Sequence, residues 1–118
     1  MEIRELAQRL GEYRIVFANE HDFQDGIQDV LDTLSKAHGF QFEREYRLSA
    51  ADRPDFFLPA EGIAIECKIK GSTSEVFRQL SRYAEHESVN GIILATSRRT
   101  HYAPTELNHK PIYTVIFR

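Results

Sequence analysis

The sequence predicts an α/β domain in the order helix, strand, strand, strand, helix, strand, with a mixed central sheet flanked by helices. Three stretches carry that expectation. Phe23, Ile27, Val30, Leu31 and Leu34 repeat at helical spacing; Ile63, Ile65, Cys67 and Ile69 alternate with Ala64, Glu66, Lys68 and Lys70; and residues 92–96, IILAT, are apolar throughout, as a strand covered on both faces requires. A chain of 118 residues is expected to form one domain, residues 1–118, burying roughly two-thirds of its unfolded surface.

The first element is a short amphipathic helix over residues 3–10, with Ile3, Leu6, Ala7 and Leu10 on its apolar side and Gly11 at its end. Residues 12–18 fit either a further helical turn or a short strand. Asn19 has the side chain of an N-cap for a long helix reaching about His38, and Gly39 has the freedom of a C-terminal stop. Glu20 projects toward the apolar stripe of that helix, whereas Asp22 and Asp25 point away. An acid in the first turn ordinarily answers the helix dipole; an acid on the buried side also suits a functional site. Residues 40–48 then alternate Phe40, Phe42 and Arg44 against Gln41, Glu43 and Glu45, the pattern of a strand with one wet face.

Residues 52–70, DRPDFFLPAEGIAIECKIK, read as a hairpin. Pro59, Ala60, Glu61 and Gly62 have the chemistry of a four-residue loop, which pairs Leu58 with Ile63 and sets Asp55 opposite Glu66. Cross-strand Cβ atoms lie roughly 4.5–5.5 Å apart, and two carboxylates there repel unless something positive stands between them. With a carbonyl oxygen they make a hard-cation site of the Mg²⁺ or Mn²⁺ type. A solvent-facing hairpin with an acid pair and a neutralising lysine is the plainer alternative. The apolar run Phe56, Phe57 and Leu58 and the apolar strand later in the chain argue for a central hairpin instead.

Residues 71–74, GSTS, supply a turn and an N-cap for a helix from about Glu75 to Glu87 that buries Val76, Leu80, Tyr83 and Ala84, with Asn90 and Gly91 as breakers. After the apolar strand, residues 97–111 form a polar loop, and Ile112 to Phe117 closes the sheet.

Composition limits the function classes. Apolar content of 42% with 28% charged residues is that of a folded globule; no apolar run approaches the ~20 residues of a membrane span, and the amino terminus lacks the order of a signal peptide. A single Cys excludes an internal disulfide and fits a reducing cytosol, so a cytoplasmic protein without membrane contact is expected. The net charge of −3 is uneven: residues 1–65 carry 7 basic and 13 acidic groups, residues 66–118 carry 8 and 5. A polyanion can therefore meet a locally positive face.

With Pro54-Asp55, then Glu66-Cys67-Lys68 at the end of the next strand, in a helix–three strands–helix–strand order, the chain resembles the PD-(D/E)XK nuclease superfamily. The resemblance runs from about Asn19 to Ser97 and implies a restriction-endonuclease-like αβββαβ core. Glu20 matches the acid that many members carry on the first core helix, and Gln79 with Tyr83 matches the Q-x-x-x-Y spacing of several exonuclease-like branches. Among small branches the chain is most similar to virus-type replication-repair nucleases and Holliday-junction resolvases, although it lacks a resolvase's dense Lys/Arg content.

The resemblance implies a metal-dependent nuclease hydrolysing phosphodiester bonds in DNA, with structured or duplex DNA as the expected substrate, in replication, repair, recombination or restriction. Asp55, Glu66, the Cys67 backbone carbonyl and Glu20 would hold Mg²⁺ or Mn²⁺. Lys68 would orient or deprotonate water, Gln79 would position substrate or water, and the clustered acids would titrate with raised pKa values. Lys70, Arg78, Arg82, Tyr83, Arg98 and Arg99 are the candidates for nucleic-acid contact, each also readable as an ordinary surface or core residue. Cys67 faces the apolar side of its strand and is read as core rather than nucleophile. So small a domain is expected to need a second copy or a partner to grip a duplex. The competing expectation is a non-catalytic nucleic-acid-binding or assembly protein. A double-stranded RNA binding domain shares part of the element order, but the start of the second helix here, GSTSEVF, has no Lys cluster.

Overall fold

The structure, a computed structural model, describes residues 1–97 and 103–117. Among these, three helices and a mixed six-stranded sheet form an α/β domain in the order α1 (Ile3–Leu10), α2 (Glu20–His38), β1 (Glu43–Arg44), β2 (Phe56–Leu58), β3 (Ile63–Lys68), α3 (Thr73–Ala84), β4 (Gly91–Thr96), β5 (Glu106–Leu107) and β6 (Lys110–Ile116). In space the strands run β1-β2-β3-β4-β6-β5; β4 is parallel to both β3 and β6, and the remaining neighbours are antiparallel. No helix among the described residues is long and apolar enough to cross a membrane.

The local chemistry places α2 where the sequence predicts it. The Asn19 side chain accepts the Asp22 N–H at 2.8 Å, and Gly39, at φ 75°, ends the helix with its N–H on the Ser35 carbonyl. Phe23, Ile27, Val30, Leu31 and Leu34 are all buried. They pack with α1 on one face of the sheet, against Ile63, Ile65 and Cys67 of β3 and Ile93 and Ala95 of β4. The opposite face carries α3, whose Val76, Leu80, Tyr83 and Ala84 pack on Phe57, Ala64, Ile92 and Leu94. Strand parity thus sends successive residues of β3 to opposite layers, and Glu66, like Ala64, belongs to the α3 side.

The hairpin register is the one that the turn dictates, with Leu58 opposite Ile63 and Phe56 opposite Ile65. Gly62 adopts φ 71°, and a Cβ there would meet the Ser88 carbonyl and the Asn90 amide at 2.6 Å, so only glycine fits this close approach. The Gly62 carbonyl accepts the Asn90 N–H at 2.7 Å, tying the turn to the start of β4.

Four sequence expectations are corrected. Residues 12–18 are neither helix nor strand. The strand expected over 40–48 shrinks to Glu43–Arg44, because β2 offers three residues to pair with and Glu45 turns to φ 54°; the alternation of inward Phe40, Phe42 and Arg44 with exposed Gln41, Glu43 and Glu45 persists without a ladder. Helix α3 starts and ends earlier than 75–87, since Ser72 caps it by accepting the Glu75 N–H at 3.2 Å. The polar loop holds a second hairpin: Asn108 and His109, both at positive φ, turn β5 back onto β6, so the last strand begins at Lys110.

Candidate active site

The sheet gives out at the C-terminal end of β3, where α2 approaches from one face and α3 from the other. Asp55 immediately precedes β2, so continuing the ladder past Phe56 and Ile65 sets it level with Glu66. Its Oδ2 accepts the Cys67 N–H at 2.8 Å and its Oδ1 accepts the Gln24 amide at 3.2 Å. Glu66 is 3% exposed. Its Oε1 accepts the Tyr83 hydroxyl at 2.9 Å, and Lys68 Nζ stands 3.7 Å from its Oε2. From the opposite layer, Glu20 at the start of α2 accepts the Ile69 N–H through Oε1 at 3.3 Å. Glu20 from the start of α2, Asp55 from just before β2, and Glu66 and Lys68 from β3 thus meet at one strand end.

Burial and mutual repulsion govern the charges. Asp55 is pushed up to about 6, chiefly by burial and further by Glu20 and Glu45, while the Cys67 N–H and Lys68 pull it down. Glu66 is pushed up to about 8, first by burial and then by Asp55, against the opposing effects of Tyr83 and Lys68. The Tyr83 hydroxyl, buried beside Glu66, is raised far out of the titratable range and stays a neutral donor; the Gln79 side chain opposes that rise. Burial, then Asp55 and Glu66, raise the Cys67 thiol well above its usual value, which makes it an inert core group.

Among the described residues no group of three or more His, Cys, Asp or Glu side chains stands ready to enclose a metal ion. The donor chemistry nonetheless fits a hard cation. Mg²⁺ is commonly held by one or two carboxylates and completes its shell with water and phosphate oxygens, and Asp55 and Glu66 are two such carboxylates whose repulsion a cation would relieve. They would have to turn from the amides and hydroxyl that now hold them.

Four of the basic candidates collect on the α3 side. Lys68, Lys70, Arg78 and Arg82 line a cavity of about 260 Å³ together with Gln79 and a single acid, Glu75. Lys68 borders both this cavity and the carboxylates. Arg82 donates from Nε to Asp52 at 2.9 Å. Tyr83 does not serve as expected: it is fully buried, so it reaches a ligand only through Glu66 and cannot itself touch nucleic acid. Arg98 and Arg99 lie outside the described residues.

Three functional-looking side chains escaped the sequence reading. Gln24 bridges Asp55 to Arg44, which donates to its Oε1 at 3.2 Å. Arg44 also donates to Asp25 and Gln28, each at 2.8 Å, and lies over the Phe56 ring. Asp52, buried, takes Arg82 on one oxygen and His86 on the other and is held below the usual carboxylate range, chiefly by the His86 bond. A signal for the first existed, since Gln24 and Gln28 follow Glu20 at helical spacing along one edge of α2. Comparison with protein-family models, with curated proteins and with solved structures finds no match.

Proposed function

We propose that this protein is a metal-dependent nuclease that hydrolyses phosphodiester bonds in DNA, built on a restriction-endonuclease-like core of the PD-(D/E)XK type. The observation that carries the reading is the meeting of Asp55, Glu66 and Lys68 at the end of β3, with Glu20 beside them and a cation-lined cavity in front. The element order α2, β1, β2, β3, α3, β4 supports it, being the αβββαβ order that the resemblance implies.

Asp55 and Glu66 are the groups to hold Mg²⁺ or Mn²⁺, with the Cys67 carbonyl and Glu20 as further oxygen donors. Such an ion, when bound, supplies a nucleophile near neutral pH and a counter-charge for the phosphoryl oxygens. Glu66 must surrender a proton for this role, because burial keeps it protonated to about pH 8, so loading of the site is coupled to proton release. Lys68, between the acids and the cavity, can orient water and stabilise charge developing on phosphate, as a compact ammonium does. Lys70, Arg78 and Arg82 bind the flanking phosphates, and Gln79 positions the group held against Lys68.

A second reading, a non-catalytic nucleic-acid-binding or assembly protein, is favoured by the protein hydrogen bonds that already engage Asp55 and Glu66. Cleavage of labelled single-stranded, duplex, flapped and four-way DNA separates the two. Cutting that needs Mg²⁺ or Mn²⁺, stops in EDTA, and is lost in Glu66→Ala and Lys68→Ala is the expected result. DNA binding without cutting on any substrate would transfer the assignment to the second reading.

A further inference from the structure

We propose that the surface of α3 beside the cation-lined cavity is a subsite for an unpaired base of single-stranded DNA, with Phe77 as its stacking platform. The inference deepens the nuclease reading and rests on it for the identity of the polymer.

Helix α3 buries Val76, Leu80, Tyr83 and Ala84 and has no packing need for an aromatic ring on its outer side. Phe77 nevertheless stands there, 45% exposed, and is the only exposed phenylalanine among the described residues. It is not isolated. With Thr73, Ser74, Arg78 and Pro104 it lines a shallow, largely apolar hollow of about 640 Å³.

Arg78 belongs to this hollow and to the cation-lined cavity alike, so the two adjoin along its side chain. Lys70 and Arg78, beside Lys68 and Arg82, which pair with Glu66 and Asp52, give that cavity the charge to take a phosphate backbone. A cationic track with an aromatic face alongside is how single strands are held without sequence preference: the phosphates sit among the cations and a base stacks on the ring. A paired base inside a duplex has both faces occupied by its neighbours and gains nothing from Phe77. The hollow therefore selects unpaired nucleotides, in a single strand, a flap or a frayed end.

The test is fluorescence anisotropy of the full chain in EDTA, where no cutting occurs, with a labelled oligothymidine and a labelled G·C-rich duplex of two annealed strands of the same length. The single strand should bind more tightly. Phe77→Ala should weaken single-strand binding by about tenfold and leave the duplex unchanged. Arg78→Gln should weaken both and flatten their salt dependence. Both side chains are exposed, and an unchanged circular dichroism spectrum and melting temperature establishes that each variant is folded.

Equal or tighter binding of the duplex, no binding of either probe, or a Phe77→Ala effect that is absent or equal on both would overturn the subsite. Failure of the nuclease reading looks different. Metal-dependent cutting that survives Phe77→Ala with single-strand binding unchanged removes the subsite and keeps the nuclease; Phe77-dependent binding with no cutting under any metal keeps the subsite and removes the nuclease.

Discussion

The Tyr83 hydroxyl donates to Glu66 Oε1 at 2.9 Å, and this one buried bond ties α3 to the acidic end of β3. Tyr83 has no exposed surface, and Gln79, one turn earlier on the helix, opposes the rise in its pKa. Tyr83→Phe keeps the ring and removes the donor, leaving a carboxyl oxygen inside the domain without its partner. The expected cost is about 1–3 kcal/mol of stability. Because the bond lowers the Glu66 pKa, its loss raises that value further, and the acid limb of the cleavage profile should move to higher pH. KM for DNA should stay as it is, since Tyr83 does not reach the surface. Thermal melts and pH–rate profiles check this, and a melting temperature and profile equal to wild type would show that the bond does no such coupling.

Asp55 and Glu66 make the metal-free protein less stable as pH rises. Both folded-state values, about 6 and about 8, lie above the ordinary 3.8 and 4.5, so between about pH 4 and 8 the folded chain holds protons that the unfolded chain has released. Stability is therefore greatest at the acid end of that window and falls by roughly 1 kcal/mol per pH unit for each carboxylate in its range. Asp25 and Asp52, held low by Arg44 and by His86 respectively, lose their contribution only as pH falls below the ordinary carboxylate value, outside that window. Mg²⁺ should raise the melting temperature, and more so at pH 8 than at pH 6; an excess of 100 times Kd is worth about 2.7 kcal/mol. Glu66→Gln should flatten the pH slope, stabilise the metal-free protein at pH 8 and remove most of the response to Mg²⁺. Melts of both proteins from pH 5 to 8, with Mg²⁺ and with EDTA, decide it.

The parts of the fold set by local chemistry were legible in the residues. Asn19 and Gly39 bound α2 through a side-chain cap and a left-handed stop, and the Pro59–Gly62 turn fixed the register that levels Asp55 with Glu66. Period alone assigned Glu66 to the face opposite Cys67. Period could not say what that face meets. Glu66 is buried because α3 delivers Tyr83 onto it, a contact that depends on how the helix after Ser72 lies across the sheet. The β5–β6 turn was hidden for another reason: Asn108 and His109 adopt left-handed conformations that glycine would have announced. Asp52 read as the first residue of a hairpin segment, and its partners Arg82 and His86 come from α3 and the turn that follows it, 30 and 34 residues along the chain.

Gln24 orders the other side of Asp55. The Arg44 guanidinium only donates, so its bond to Gln24 Oε1 turns the amide nitrogen toward Asp55 Oδ1. Arg44 is itself fixed by Asp25, Gln28 and the Phe56 ring. The chain Arg44–Gln24–Asp55 therefore acts as a unit that presents an N–H, and never a carbonyl oxygen, to the carboxylate. Gln24→Leu removes the donor, while Arg44→Met frees the amide to rotate and present its oxygen. Each should cost about 1 kcal/mol and raise the Asp55 pKa, read by carboxyl-carbon NMR titration. The double variant should cost less than the sum of the two by at least about 0.5 kcal/mol, because the second change disturbs a link already broken. Denaturant unfolding of the four proteins measures that coupling. Costs that add within about 0.3 kcal/mol, with the Asp55 titration unmoved in Arg44→Met, would mean that Arg44 steadies α2 without ordering the site.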